Sequence, residues 1–258
     1  MSRAEAGFVY LVGAGPGDPG LVTLRAKQLL ESCDSVLYDQ LGTAGALGFV
    51  PPSAERISVG KVGHGSQVAQ AEIERLIVDR ARAGRRVVRL KGGCPTVFAR
   101  LAEEVEALRS AQIPYEIVPG VSSALAVPAA AGIPVTHRLL ASSVAIVAGH
   151  CARPGNDPIA AVAHADTVVV LMGVRRLPAI TQELLAAGRD ADTPAAFISE
   201  GASPRQQVLV ATLSTLASEV ERSGLGAPAV VVVGEVAGLA RGAGRFVLAD
   251  VLARPTYS

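Results

Sequence analysis

The sequence is short of the residues on which several kinds of function depend. It has no tryptophan, five phenylalanines and four tyrosines in 258 residues, too few to build the aromatic platforms on which single-stranded nucleic acid stacks. Its three cysteines, Cys33, Cys94 and Cys151, are odd in number and irregularly spaced, which fits a reducing, cytoplasmic setting. The four histidines, His64, His137, His150 and His164, have no ligand spacing to those cysteines, so no metal centre is expected. A net charge of +1 gives no global field to draw in a polyanion, and any acidic ligand must meet local arginines. No apolar run approaches the ~20 residues needed to span a bilayer. The opening Met-Ser-Arg-Ala-Glu-Ala-Gly is polar and short, unlike a secretion signal. What is abundant is Ala, Val and Leu. With half the residues hydrophobic, the chain has core enough for one large α/β domain or two of about 120 residues each.

The stretch over residues 9–19, Val-Tyr-Leu-Val-Gly-Ala-Gly-Pro-Gly-Asp-Pro, reads as a buried strand ended abruptly by glycine and proline. Helical spacing follows over 23–32, so the unit is strand, Gly-rich loop, helix. Glycines at the carboxyl end of a strand let a ligand approach bare backbone, and in open α/β sheets ligands sit at that edge. The dinucleotide fingerprint is not met: after Gly13 and Gly15 the third glycine is Gly17, one residue early, with Asp18 in the required place. No phosphate loop occurs either. The loop suits a phosphate-free ligand read through backbone groups.

Strands are expected at 35–38, 56–59, 86–90 and 115–118, with helices at 67–83 (closed by Gly84), 100–111 and 122–131. That alternation predicts a mostly parallel sheet with both faces covered. A second α/β half follows, with strands near 143–148, 167–172, 195–199, 207–211 and 229–233 and helices at 177–187 and 213–223. The expected domains are residues 8–120 and 121–245, with 246–258 unassigned and a cleft between the two lobes.

Six segments in order carry a resemblance: Val-Gly-Ala-Gly-Pro-Gly-Asp-Pro over 12–19, Tyr38-Asp39, Gly60-Lys61, Val-Val-Arg-Leu-Lys-Gly-Gly over 87–93, Pro-Gly-Val-Ser-Ser-Ala over 119–124, and Ala-Gly-Ile-Pro-Val-Thr-His-Arg over 131–138. Together they resemble the tetrapyrrole methylases, in particular the branch that methylates uroporphyrinogen III. The resemblance covers roughly residues 8–240. It implies a class III methyltransferase fold of two α/β domains with mostly parallel or mixed sheets, S-adenosyl-L-methionine as cofactor with S-adenosyl-L-homocysteine as product, and a homodimer without nucleic-acid or membrane partners. It further implies cofactor contacts at Pro16, Gly92, Gly93, Cys94, Val97, Ser122, Ser123, Met172 and Gly201. Asp39 becomes the proton acceptor at the reacting pyrrole, Lys61 a proton-donating or substrate-facing group, and Arg100 and Arg138 holders of substrate carboxylates.

Each role has a plainer rival. Asp39 could be a helix N-cap or turn residue, Lys61 a solvated charge, and Arg89, Lys91, Arg100, Arg138, Arg175 and Arg176 surface cations. A lysine acts near neutral pH only if burial or a neighbouring cation lowers its pKa. The chain also departs from the family pattern over residues 92–104. Cys94 stands where relatives usually carry aspartate, Thr96 replaces an aromatic, and Ala99, Leu101 and Ala102 replace glycines. A non-catalytic relative that binds the cofactor, and a nicotinamide-dependent oxidoreductase lacking its third glycine, are the other readings.

Overall fold

The computed structural model describes residues 4–60, 68–150 and 158–240, and the chain divides into two compact units, Met1–Ser123 and Ala124–Ser258. Lys61, His64, Cys151 and the tail from residue 241 lie outside the described residues.

In the first unit, strands β1 (Val9–Gly13), β2 (Ser35–Tyr38), β3 (Glu55–Ser58), β4 (Val87–Lys91) and β5 (Tyr115–Val118) alternate with helices α1 (Leu24–Leu30), α2 (Ala44–Leu47), α3 (Gln70–Arg82) and α4 (Leu101–Ser110). The strands form one sheet in the order β3-β2-β4-β1-β5, with every pair parallel. One face packs Tyr10, Val12, Val36, Val88 and Leu90 against Ala26, Leu29 and Leu30 of α1. The other packs Val9, Leu11, Leu37 and Val87 against Ile73 and Ile77 of α3 and Leu108 of α4. Burial on both faces explains why β1 reads as a continuous apolar run, whereas the edge strand β3, Glu-Arg-Ile-Ser, is only partly buried. Thr23 starts α1 by accepting a hydrogen bond from the Ala26 N–H at 3.2 Å. Gly84, at φ +73°, closes α3, its own N–H reaching Ala81 O and that of Arg85 reaching Arg80 O.

The second unit begins in α5 (Ser123–Ala130) and continues through β6 (Val144–Ala148), α6 (Pro158–Ala161), β7 (Thr167–Leu171), α7 (Leu177–Ala186), β8 (Pro194–Ser199), β9 (Gln207–Thr212), α8 (Leu216–Ser223) and β10 (Ala229–Val233). Its sheet runs β6-β7-β10-β8-β9. Only β6 and β7 are parallel; β10 is antiparallel to both its neighbours, and β8 to β9. The β8–β9 connection is too short for a helical crossover, which forces that pair to be antiparallel. The helix expected from residue 213 starts at Leu216, because Thr212, Ser214 and Thr215 bond to one another in a turn.

Candidate active site

Because the first sheet is wholly parallel, the carboxyl ends of β1, β2, β4 and β5 open on one edge. There Gly13, Gly93 and Gly120 pack backbone to backbone. A Cβ on Gly13 would stand 2.5 Å from the Gly120 nitrogen and 2.6 Å from the Gly93 oxygen. Gly15 and Gly93 exchange two main-chain hydrogen bonds, Gly15 N–H to Gly93 O at 3.2 Å and Gly93 N–H to Gly15 O at 2.8 Å. Gly42, at φ +77°, lies against Gly15, Pro16 and Gly92, and Gly93 faces Ser122 and Ser123. Pro16, Gly92, Gly93, Cys94, Ser122 and Ser123 are therefore brought together. Val97 closes the Cys94 turn through its N–H to Cys94 O at 3.1 Å.

Cys94 sits in this loop half-buried. Burial pushes its thiol up, but hydrogen bonds from the Thr96 side chain and from the Thr96 and Gly120 backbone outweigh that and lower it from the ordinary value. The residues that replace glycines in this segment cause no left-handed strain. Positive φ falls on Phe98 (50°) and Arg100 (54°), not on Ala99, Leu101 or Ala102. Leu101 and Ala102 open α4, where each is a better helix former than glycine by about 1 kcal/mol.

Asp39 follows β2 on the same edge. It caps no helix: α2 begins at Ala44 after Thr43. The Thr43 hydroxyl donates to the Asp39 carbonyl, and the Asp39 N–H donates to Leu90 O at 3.1 Å. The Asp39 side chain is 34% exposed and is held by Arg89 Nη2 at 2.7 Å. The surface reading of Arg89 and Lys91 is corrected here, because both lie on a strand covered on both faces and are 3% and 2% exposed. Their charge is met by Glu104 of α4, whose Oε1 accepts from Arg89 Nε at 3.0 Å and Lys91 Nζ at 2.7 Å. Burial, then the Arg89 charge, lowers the Lys91 pKa from its ordinary value. Sequence reasoning missed Glu104. The available signal was two cations, at 89 and 91, on the inward face of a strand with apolar neighbours.

The remaining candidates divide between the two units. Arg100 is exposed and pairs with Glu103 at 3.0 Å; Arg138 is exposed; Arg176 is tied to Gly149 O and Glu183. In the second unit, Met172 leaves β7 at φ +56° and is 50% exposed. Gly201 leaves β8 between Glu200 and Ala202, at φ +51° and +60°. Strands β7 and β8 run in the same direction, so Met172 and Gly201 emerge on one edge with β10 between them. Left-handed non-glycine residues are costly and concentrate at functional sites. Gly201 has a packing reason too: a Cβ there would strike Val127 of α5.

A cavity of about 520 Å³ opens at the opposite, amino-terminal edge of the first sheet, beside Cys33, Asp34, Arg85 and Arg86. Two of its charges are spent on each other, as Arg86 holds the Asp34 carboxyl down at about 2. The carboxyl edge, with its bare backbone, is the better candidate.

One wholly parallel sheet with glycine loops at its strand ends and one mixed sheet define a two-unit α/β protein with a ligand edge, and comparison with known proteins supplies the particular family. Residues 9–217 match the family model of the tetrapyrrole (corrin/porphyrin) methylases, and the chain belongs to that family. It is 46% identical over 234 residues to an S-adenosyl-L-methionine-dependent uroporphyrinogen III methyltransferase of Methanosarcina barkeri, covering 89% of this chain and 92% of that protein. It is 48% identical to a siroheme synthase of Azotobacter vinelandii, but spans 50% of that protein's length. Among solved structures it resembles the uroporphyrin-III C-methyl transferase of Thermus thermophilus complexed with S-adenyl homocysteine, at 43% identity and TM-score 0.78, covering 88% of this chain and 97% of that one. A cobalt precorrin-4 methyltransferase is similar at 26% identity and TM-score 0.80.

Proposed function

We propose that the chain transfers methyl groups from S-adenosyl-L-methionine to C-2 and then C-7 of uroporphyrinogen III, giving precorrin-2 and S-adenosyl-L-homocysteine. The observation that carries this reading is the 46% identity to the Methanosarcina barkeri methyltransferase along nearly the whole of both chains. Likeness to the siroheme synthases supports a place in sirohaem formation. A cytoplasmic homodimer is part of the proposal; among the described residues no helix is long and apolar enough to cross a membrane.

The residues at the carboxyl edge fit such a cofactor. Residues 14–22, 92–99 and 119–122 contain no lysine, arginine or histidine, so a phosphate-bearing dinucleotide would find no cation there, whereas an adenosine with a methionine tail needs none. Pro16, Gly92, Gly93, Cys94, Val97, Ser122 and Ser123 would hold it in the first unit, and Met172 and Gly201 carry the same assignment in the second. When bound, the cofactor supplies an electrophilic methyl group on a cationic sulfur. The protein's part is to hold the attacking pyrrole carbon in line with that bond, and positioning of this kind is worth ~7–11 kcal/mol in favourable cases. Asp39 takes the proton displaced from the macrocycle, and Lys61 donates one or faces the substrate. Arg100 and Arg138 offer guanidinium forks to the substrate's carboxylates, which they pair with bidentately.

Incubation with enzymatically made uroporphyrinogen III and S-adenosyl-L-methionine should yield the dimethylated product by absorbance and mass. S-adenosyl-L-homocysteine should raise the melting temperature, because binding to the native state alone stabilises it by about 2.7 kcal/mol at a ligand concentration of ~100 Kd. NAD should leave it unmoved; the reverse pattern would sink the cofactor assignment.

Cys94 offers a second test of the same assignment. A carboxylate there adds a full negative charge near a sulfonium cation, worth about 1 kcal/mol at a few ångströms in high dielectric. Cys94→Asp should therefore tighten S-adenosyl-L-methionine about fivefold by calorimetry, and the homocysteine product, whose sulfur carries no charge, less. Equal or weaker binding of S-adenosyl-L-methionine would show a loop rebuilt around the thiol.

A further inference from the structure

Among the described residues of the first unit, Glu104 is the most deeply buried charge. Its side chain has no solvent exposure, yet it meets two cations that are themselves buried. Both cations converge on one oxygen, Oε1, while Oε2 is buried with no hydrogen-bond partner among the described residues. Such a cluster is a poor way to stabilise a fold. Removing these charges from water costs as much as their attraction returns, and apolar side chains of similar volume usually serve as well. They do so on the same face only two residues before Arg89, where Val87 joins Val9, Leu11 and Leu37 in the core. The charges are confined to the carboxyl end of β4, next to Asp39.

Arg89 explains the placement. Its guanidinium is used at three points: Nε to Glu104, Nη1 to the Leu90 carbonyl at 3.0 Å, and Nη2 to Asp39 at 2.7 Å. A planar fork held at Nε and Nη1 has no rotational freedom left at Nη2. The direction of the Asp39 carboxylate is thus set from the core, while its outer side stays open to solvent. Lys91 donates to the same Glu104 oxygen at 2.7 Å.

We propose that Glu104 is a positioning residue for methylation: by clamping Arg89 it fixes Asp39 in the orientation needed to take the substrate's proton. The inference rests on the reading of Asp39 given above. Groups that must be preorganised for proton transfer lose rate, not ground-state binding, when their support is removed.

The test uses the full chain with uroporphyrinogen III and S-adenosyl-L-methionine. Glu104→Gln keeps the shape and removes the charge. Its kcat should fall at least tenfold, with KM for S-adenosyl-L-methionine and the calorimetric affinity for S-adenosyl-L-homocysteine within about twofold of the parent. Added to Asp39→Asn, the same change should lower kcat less than threefold further, because residues acting through one group are not additive. If Glu104→Gln does not fold, Arg89→Lys carries the test. It preserves the buried charge count but cannot span Asp39 and Glu104 at once, so the same kcat loss at unchanged affinity is expected. Parental kcat in the folded variant overturns the inference. So does an equal loss in the Asp39→Asn background, or a fall in homocysteine affinity that parallels kcat. Parental turnover in Asp39→Asn overturns the role of Asp39 itself, whereas an inactive Asp39→Asn beside a fully active Glu104→Gln overturns only the positioning role.

Discussion

Gly120→Ala should loosen S-adenosyl-L-homocysteine binding by at least an order of magnitude and lower the melting temperature by several degrees. The cause is steric. A methyl group at residue 120 would strike the Gly93 carbonyl and come within 2.7 Å of the Gly13 Cα and 2.8 Å of its carbonyl carbon. All three contacts are backbone, so no side chain can turn aside, and the ends of β1, β4 and β5 must separate. Overpacking of this kind costs about 1–3 kcal/mol, which in a chain of this size shifts melting by roughly 2–12 °C. The movement is transmitted to Pro16, Gly93 and Ser122, hence the expected loss of affinity. Gly84→Ala is the control. Gly84 has φ +73° and nothing within 4 Å of an added methyl group, so its cost is the left-handed backbone alone, about 1–2 kcal/mol, with no effect on binding. Calorimetry showing parental affinity in Gly120→Ala would remove the glycine junction from the cofactor site.

Asp39→Asn should lower turnover by about 10²–10⁴, the range typical of losing a positioned general base, and leave S-adenosyl-L-homocysteine affinity unchanged. The amide oxygen can still accept from Arg89 Nη2, so the fold has no reason to change. What is lost is the charge that takes a proton. Arg89, still paired with Glu104, keeps a counterion in the variant, which limits the stability cost. A melting temperature near that of the parent together with the lost turnover is the expected signature. Parental kcat would remove Asp39 from the chemistry; weakened homocysteine binding would move it into the cofactor site.

Much of the first unit is legible from the chain. Strand β1 is an unbroken apolar run, the strand ends are marked by Gly13, Asp39, Gly92 and Gly120, and Gly84 announces the end of α3. The short helices at 44–47 and 158–161 leave no such mark, since four residues cannot display a helical period. In the second unit the runs of valine at 168–170 and 230–233 disclose burial but not direction. Periodicity reports which faces are covered, and parallel and antiparallel strands covered alike look alike. The antiparallel insertion of β10 between β7 and β8 could not have been read from them.

The sequence by itself determined the family, through six segments in register, and with it the loops that gather at the carboxyl edge of the first sheet. It did so because glycines that admit no Cβ, and strand-ending residues such as Asp39, are constrained locally and leave a local mark. Only the tertiary structure decided what Arg89 and Lys91 do. In sequence they are cations of ordinary appearance, and their counter-charge, Glu104, lies 13 residues beyond Lys91 on another element. Whether a charge is solvated or buried depends on what covers it, and that is settled when α4 packs on β4.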